Sequence, residues 1–384
     1  MKFRFAPMAA LIPAIALPGV MALYGQAQPE ARPQMSEQAF HNVQLLKGIP
    51  VNQFMATMGF FSASLGENCT FCHVADSSGN WAKYADDNAN KRTARSMIVM
   101  VSAINKMYFG GRREVTCYSC HRGGDRPRVT PSLVDLYGPP HPEEPDQISS
   151  EGPDKPTPEQ VLDRYIAALG GAQKLAAVTS FAAKGTYQGF SDLDGNPYEV
   201  FAKAPNQRTT VVHTGNGTST AVYDGRAGWT AAPGTDSPVA VLALTGGDLE
   251  GARLDAELSF PAQIKNALKQ WRVGYPATID GRHMELLQGT TDGKYPVNLY
   301  FDSKSGLLAR MVRYTDSPVG LAPTQVDYDD YREISGIRMP FRWTVTWLDG
   351  RAKIQLTSVE VNARIDPAKF ARPAPSVPPQ AAKQ

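Results

Sequence analysis

A chain of 384 residues is long enough to form two ordinary domains with sizeable cores. Hydrophobic residues make up 42% of it and charged residues 20%, as in a globular protein rather than a disordered or membrane-embedded one. The formal net charge is +2 and no dense stripe of Lys and Arg is present, so the composition argues against nucleic-acid binding.

The first 27 residues have the pattern of an export signal. A short positive region precedes an apolar run over 6–24, and small residues follow up to Ala27. An uncleaved membrane anchor is the alternative, because the run is nearly long enough to span a bilayer. Pro13 and Pro18 within the run favour cleavage. The sequence therefore predicts a signal peptide over 1–27 and a periplasmic protein.

Residues 28–138 have helical periodicity and contain all four cysteines. A first helix is predicted over 37–47, capped by Ser36 and stopped before Pro50. The next helix ends at Gly66, and its apolar face has members at i, i+4, i+7 and i+11. These are Phe54, Met58, Phe61 and Leu65.

A third helix is predicted from about Asp86 or Asp87 to Gly110-Gly111. Its apolar face consists of Met97, Met100, Val101, Ile104 and Tyr108. Each of the last two helices carries methionines and leads through glycine into a Cys-x-x-Cys-His motif. The region therefore reads as two copies of one unit.

The two motifs are Cys69-Thr70-Phe71-Cys72-His73 and Cys117-Tyr118-Ser119-Cys120-His121. Two Cys thiols at this spacing attach the porphyrin vinyl groups, and the adjacent His becomes the fifth iron ligand. A thioredoxin-like redox pair is one alternative, but it requires a βαβ context and does not need a histidine after the second Cys. A four-thiolate zinc site is another, but it leaves both histidines unexplained. We therefore predict two covalent c-type haems.

A methionine from each preceding helix is the expected sixth ligand, which gives a closed haem suited to electron transfer. For the first haem we prefer Met58 over Met55, because Met58 lies in the middle of the apolar face. For the second haem we prefer Met100 over Met97, and we set Met107 aside because it lies close to the chain reversal. Most methionines here must instead fill the core.

Other side chains offer weaker candidates. His41 could serve as a second histidine ligand, although a surface or core role is expected of it. The arginines after the second motif either pair with haem propionates or form a solvated basic segment; they are Arg122, Arg126 and Arg128. No ligand pattern surrounds His141, His213 or His283.

The remaining sequence predicts a linker and a β domain. Residues 139–157 are rich in proline and acidic residues, as in a semi-rigid linker. A helix then begins with Thr157 as N-cap, and Gln160 completes a capping box. Short alternating strands separated by Asp-Gly and Asn-Gly turns follow up to residue 374, and a disordered tail is predicted over 375–384. The predicted fold is a mostly α cytochrome domain over 28–138, followed over 158–374 by an antiparallel β half-barrel with helices on one face.

The haem region resembles the cytochrome c subunit of photosynthetic reaction centres. The resemblance covers about residues 36–127 and is carried by segments 54–59, 65–73, 97–105 and 115–123. It implies that each haem lies parallel to a helix whose methionine is the sixth ligand, and the matching residues are Met58 and Met100. Members of that family carry four haem motifs, whereas this chain has two, so the resemblance extends to fold and ligation rather than to a photosynthetic role.

The C-terminal region resembles the carriers that sort lipoproteins to the outer membrane, the LolA-like fold. The resemblance rests on Leu169-Gly170-Gly171 and on segments 326–332 and 339–343. It implies an open β-barrel whose concave face holds a lipid or lipoprotein ligand. The predicted function is electron transfer with periplasmic or membrane-surface redox partners, and not enzymatic catalysis. The alternative is a dihaem peroxidase or haem-fed oxidoreductase, which requires one iron with an open sixth position.

Overall fold

The computed structural model describes residues 32–77, 80–138, 155–190, 192–292 and 295–376. The predicted signal peptide, most of the predicted linker and all but the first two residues of the predicted tail lie outside these ranges. Helices predominate up to residue 138, and one large antiparallel sheet follows, so the α+β fold class is confirmed. Within the described ranges, no helix combines the length and the apolar character that a membrane span requires.

Ten α-helices are described. They are α1 (Ser36–Ala39), α2 (Val51–Leu65), α3 (Cys69–Cys72), α4 (Ala89–Tyr108), α5 (Cys117–His121), α6 (Leu133–Tyr137), α7 (Pro158–Ala168), α8 (Ala172–Ala176), α9 (Gly246–Glu257) and α10 (Ile264–Ala267). The predicted C-terminal end of α2 and the predicted start of α7 are confirmed. Gly66 closes α2 with a left-handed φ of 67°, and the Thr157 hydroxyl accepts from the Gln160 backbone N–H at 3.2 Å.

Fourteen strands are described, and all pair in antiparallel fashion. They are β1 (Ser180–Gly189), β2 (Asn196–Lys203), β3 (Gln207–Thr214), β4 (Gly217–Tyr223), β5 (Gly228–Ala231), β6 (Val241–Ala243), β7 (Lys269–Val273), β8 (Ala277–Ile279), β9 (Arg282–Thr291), β10 (Tyr295–Asp302), β11 (Leu308–Ser317), β12 (Gly320–Ile334), β13 (Ile337–Trp347) and β14 (Gly350–Val361). Their order is β6-β5-β4-β3-β2-β1-β14-β13-β12-β11-β10-β9-β7, and β8 also pairs with β9. The sheet is therefore open, half-barrel-like, and built almost entirely from sequential hairpins.

The sheet buries the main core against helices α7 to α10. Leu162 and Leu169 of the α7 segment pack with Leu254 of α9 and with Leu299 and Phe301 of β10. All five side chains are at most 2% exposed. Apolar burial on one face of the sheet supplies most of the stabilisation here.

The prediction of a helix over 37–47 is wrong beyond the first turn. Helix α1 covers Ser36–Ala39 only, and its N-cap is Met35, one residue earlier than predicted. Asn42 adopts a left-handed φ of 58°, which ends helical geometry, and its amide donates to the Asp87 carboxylate at 2.9 Å. A tertiary contact therefore overrides the local helical pattern.

The apolar faces predicted for α2 and α4 are not the faces that the protein itself buries. In α2 the predicted face, which contains Met58, is only half-buried. The buried side chains lie elsewhere on the helix: Val51, Asn52, Thr57, Gly59, Phe60 and Ser64. In α4 only Asn105 is buried, while Met97 and Met100 are 38% and 44% exposed. Both helices thus keep an apolar face available beyond their contacts with protein.

The helices before residue 138 pack on the rim of the sheet. Phe60 of α2 lies against Gly320, where a Cβ would approach the phenyl ring to 2.5 Å. Arg113, in the loop before the second motif, forms an ion pair with Asp316 at the β11–β12 hairpin. The Trp81 indole donates to the Gly234 carbonyl at 2.9 Å. These contacts join the helical region and the sheet in one compact unit from Pro33 onward.

Candidate haem sites and internal cavity

The first Cys-x-x-Cys-His motif forms the short helix α3 and the residue after it. The Asn68 side chain caps this helix by accepting from the Thr70 N–H at 3.0 Å. The Asn90 amide of α4 donates to the Phe71 carbonyl at 2.9 Å, which ties the motif to the next helix. Cys69 is exposed and Cys72 is half-buried, so both thiols can be reached.

The His73 imidazole is oriented by a backbone carbonyl. Its Nδ1 lies 3.1 Å from the Tyr84 carbonyl oxygen, which can only accept, so Nδ1 carries the proton. This leaves Nε2 as the nitrogen for a metal. Burial lowers the pKa of His73, and the nearby Lys91 charge acts in the same direction. The neutral imidazole, the form that binds iron, is therefore favoured.

Lys91 of α4 holds the loop that supplies this carbonyl. Its ammonium donates to the carbonyls of Tyr84, Ala85 and Asp86 at 2.7, 3.2 and 3.1 Å. The Tyr84 ring also packs on the His73 ring, with centroids 4.8 Å apart. Sequence reasoning missed Tyr84 and Lys91, because neither belongs to a motif and the contact spans eleven residues.

The second motif forms helix α5, and a side chain of α4 sets its approach. The side-chain oxygen of Asn105 accepts from the Val115 N–H at 3.0 Å, and its amide nitrogen donates to the Val115 carbonyl at 2.7 Å. This two-point contact fixes the loop that leads into Cys117. Asn105 lies in one of the segments that carry the family resemblance, but its burial, which no other residue of α4 shares, is a structural signal that the sequence does not carry.

His121 repeats the arrangement of His73. Its Nδ1 lies 3.0 Å from the Gly124 carbonyl oxygen, so Nδ1 again donates and Nε2 is left for coordination. The Gly123 N–H donates to the Ser64 carbonyl at 2.9 Å, which anchors the end of this motif on the end of α2. Cys117 is half-buried and Cys120 is exposed.

The predicted methionine ligands lie on the helices expected for them. Met58 is half-buried on α2, and Met100 is 44% exposed on α4. Of the alternatives, Met55 is half-buried, Met97 is 38% exposed and Met107 is 72% exposed. The assignment of Met58 and Met100 stays a prediction.

The residues present fit a c-type haem on three observations. Both histidines have the same tethered ring geometry, each motif has one exposed and one half-buried thiol, and both methionine helices carry an apolar face that the protein covers only in part. Burial raises the pKa of the Cys69, Cys72 and Cys117 thiols, which favours the neutral thiol form. Among the described residues, no three His, Cys, Asp or Glu side chains gather as a metal site.

Of the remaining predicted candidates, two arginines adjoin the second motif: Arg122 is the C-cap of α5, and the Arg128 N–H donates to the Cys120 carbonyl at 2.9 Å. His41 and the three arginines Arg122, Arg126 and Arg128 are exposed. His213 pairs with Glu199 at 3.3 Å on the sheet, and His283 is exposed on β9. His141 falls outside the described residues.

A second candidate site is a cavity of about 320 Å³ between the concave face of the sheet and the helices. Aromatic and aliphatic side chains form most of its wall, including Tyr165, Phe181, Tyr187, Trp343, Val345 and Trp347. Arg208, Asp255 and Arg313 bring charge into it. Burial raises the pKa of Tyr198 and Tyr328 in the wall, which therefore keep neutral phenols. An apolar cavity with a few convergent polar groups is typical of a small-molecule binding site.

Comparison with known proteins separates the two regions. Residues 20–141 match the family described as photosynthetic reaction centre cytochrome C subunit. Over 100 residues, the chain is 40% identical to the photosynthetic reaction center cytochrome c subunit of Thermochromatium tepidum. The matched stretch covers 25% of this chain and 23% of that relative.

Solved structures similar to the chain each cover a little over half of it. A LolA superfamily protein from Nitrosomonas europaea is 14% identical, with 56% of this chain and 98% of that chain covered and a TM-score of 0.40. A DUF1329 family protein from Desulfovibrio piger is 11% identical, with 56% and 96% covered and a TM-score of 0.38. Residues 20–141 of the chain are thus similar to the reaction-centre cytochrome c subunit family, and a large antiparallel sheet follows them.

Proposed function

We propose that this protein is an exported electron carrier with two covalent c-type haems. Cys69 and Cys72 attach the first and Cys117 and Cys120 the second, with His73 and His121 as fifth ligands. Met58 and Met100 are the proposed sixth ligands. Residues 1–27 direct export to the periplasm, and the haem region over 28–138 is joined by the linker 139–157 to the sheet region over 158–374.

The repeated histidine geometry carries this proposal. Nδ1 of His73 and of His121 each donates to a backbone carbonyl, at 3.1 and 3.0 Å. Such a tether selects one tautomer and directs Nε2 at a metal. A haem bound there supplies one-electron chemistry. The protein's own contribution is to orient both imidazoles, to supply thiols and to cover each haem face with apolar side chains.

Two methionine ligands favour electron transfer over peroxidase chemistry, because a peroxidase needs an iron with an open or displaceable sixth position. The sheet region is proposed to bind an apolar or lipid ligand in the cavity beneath its concave face. Redox partners are expected to be periplasmic or membrane-surface proteins. A photosynthetic role is not part of the proposal, because only two motifs are present and most of the chain lies outside the family match.

Haem content and ligation test the proposal directly. The pyridine haemochrome spectrum should show two c-type haems per chain, reduced to one in Cys69→Ala/Cys72→Ala and to one in Cys117→Ala/Cys120→Ala. Near-infrared magnetic circular dichroism of the oxidised protein should show Met–iron bands that Met58→Leu and Met100→Leu each halve. An undiminished spectrum in the cysteine variants would overturn the haem assignment. Rapid cyanide binding by the wild type would favour the peroxidase alternative.

A further inference from the structure

The cavity under the sheet has an excess of positive charge. Arg208 enters it from β3 and Arg313 from β11, whereas Asp255 of α9 is the carboxylate in its wall. Arg338 adds a third guanidinium at an exposed position. Among the described lining residues, guanidinium groups therefore outnumber carboxylates by three to one.

Arg313 is incompletely paired. Its guanidinium lies 3.5 Å from the Asp255 carboxylate, a long ion pair, and its side chain is 17% exposed. Its Nε is buried and has no hydrogen-bond partner among the described residues. The guanidinium occupies the space beside Gly251 of α9, where a Cβ would overlap it. A glycine at this position thus makes room for a charged group under the helix.

Among the described residues, the side-chain hydrogen bond of Arg208 is to a neutral group. It donates to the Ser259 hydroxyl at 2.8 Å, and that hydroxyl donates in turn to the Asp255 carbonyl at 3.0 Å. A half-buried guanidinium gains little from a hydroxyl compared with an anion. Two inward-facing guanidiniums and the Asp255 carboxylate give a net charge of about +1 in an apolar space, which is costly unless a counter-charge is present.

The arrangement of charge and apolar wall defines a ligand with two parts. Uncharged side chains, among them Tyr187, Val345, Trp347 and Ile354, line the same cavity as the two arginines and Asp255. An apolar chain matches the uncharged wall. An anion matches the two guanidiniums, which favour the planar or tetrahedral oxygens of carboxylate or phosphate.

We propose that the cavity binds a long-chain amphiphile whose anionic head group, a carboxylate or a phosphate, lies between Arg208 and Arg313. This inference rests on the proposed binding of an apolar ligand by the sheet region and adds the head-group chemistry. Free fatty acids and phosphate-headed lipids are the two sources of such a ligand.

Calorimetric titration of the holoprotein tests this inference without interference from haem absorption. The probes share one chain: dodecanoate, dodecyl phosphate and the uncharged monododecanoyl glycerol. At least one anionic probe should bind about tenfold or more tightly than the uncharged probe. The tighter anion identifies the source as fatty acid or phosphate lipid, and either result supports the proposal.

Variants of opposite sign separate charge recognition from misfolding. Arg208→Met and Arg313→Met should each remove most of the preference for the anionic probe and leave the uncharged probe unaffected. Asp255→Asn should strengthen anion binding, a gain that a damaged fold does not produce. Arg310→Met is the matched control, because Arg310 is on the same strand but faces outward and pairs with Asp327 at 2.5 Å.

Two results would overturn the inference in different ways. Equal affinity for charged and uncharged probes, unchanged in all four variants, would rule out recognition of an anionic head group. It would leave the proposed binding of an apolar ligand standing. A lack of heat with all three probes would contradict both the head group and the ligand-binding role of the sheet region. The haem proposal is independent of either result.

Discussion

The side-chain amide of Asn52 donates to the Asp248 carboxylate at 2.8 Å and joins α2 to the first turn of α9. The same amide donates to the Thr245 carbonyl at 3.1 Å and accepts from the Thr245 hydroxyl at 2.8 Å. Thr315 of β11 donates to the other oxygen of Asp248 at 3.2 Å. One buried asparagine thus connects α2, α9 and, through Asp248, the sheet.

Replacing Asn52 should destabilise the whole protein. Asn52→Ala leaves Asp248 and Thr245 without their partner in a site where Asn52 is only 5% exposed. Loss of a buried hydrogen bond to a charged group costs about 1–3 kcal/mol. Urea unfolding followed by circular dichroism measures this cost. Asn266→Ala is the control, since Asn266 is exposed and contacts Gln263. A difference between the two variants below about 0.5 kcal/mol would contradict the connection.

Asn105 should be required for efficient attachment of the second haem only. Its two hydrogen bonds to Val115 hold the loop before Cys117, and Asn105→Leu removes both while keeping a similar size. Intact-mass spectrometry should then show a fraction of chains with one haem, and peptide mapping should locate the missing group at the second motif. Asn90→Leu is the matched control, because Asn90 contacts the first motif instead. Two haems on every Asn105→Leu chain would show that the loop does not depend on this contact.

Local rules predicted those features that depend on neighbouring residues. The end of α2 at Gly66 follows from the left-handed conformation that glycine favours. The start of α7 follows from the Thr157 capping box, and the hairpins follow from their turn residues. The two motifs were recognised because thioether attachment requires fixed spacing. In each case the determining residues lie within a few positions of each other.

Features set by tertiary contacts could not be predicted in this way. The helical pattern over 37–47 fails because Asn42 bonds to Asp87, 45 residues later. The identity of the carbonyl that orients His73 depends on a loop held by Lys91. The buried face of α2 was missed for a related reason. Phe60 packs on the β11–β12 hairpin, which follows it by 260 residues, and periodicity records only that apolar residues recur.

The contact between Asp87 and Arg95 should make a contribution to the free energy of unfolding that is lost at acid pH. The Arg95 hydrogen bond at 2.8 Å lowers the pKa of Asp87 from the usual 3.8 to about 2. A lowered folded-state pKa stabilises the protein above about pH 4, and this contribution is lost as pH falls toward 2. Because the pair is partly exposed, the contribution is at most about 1 kcal/mol.

Urea unfolding at pH 6 and pH 3 measures this contribution. Asp87→Asn should be less stable than the wild type at pH 6, and the difference should shrink at pH 3. Asp125→Asn, at an exposed position, serves as the control and should show a smaller difference at pH 6. A difference that is the same at both pH values would indicate that Asp87 acts through packing rather than charge.

Phe60 and Phe61 are adjacent on α2, but Phe60 should matter for stability and Phe61 for the reduction potential of the first haem. Phe60 is 7% exposed and packs against Gly320, whereas Phe61 is half-buried on the face that carries Met58. Phe60→Ala should cost about 3 kcal/mol of unfolding free energy, as large-to-small changes in a core do. It should alter the reduction potential of the first haem little in the molecules that fold.

Phe61→Ala should show the reverse. Its loss of stability should be smaller than that of Phe60→Ala, because the protein itself buries Phe61 less. It should shift the reduction potential of the first haem, because removal of an apolar ring from the Met58 face admits water to the iron site. Redox titration of both holoproteins by absorption, together with urea unfolding, gives the two quantities for each variant. If Phe60→Ala moved the potential more than Phe61→Ala, the haem would have to lie on the other face of α2, and Met58 could not be its ligand.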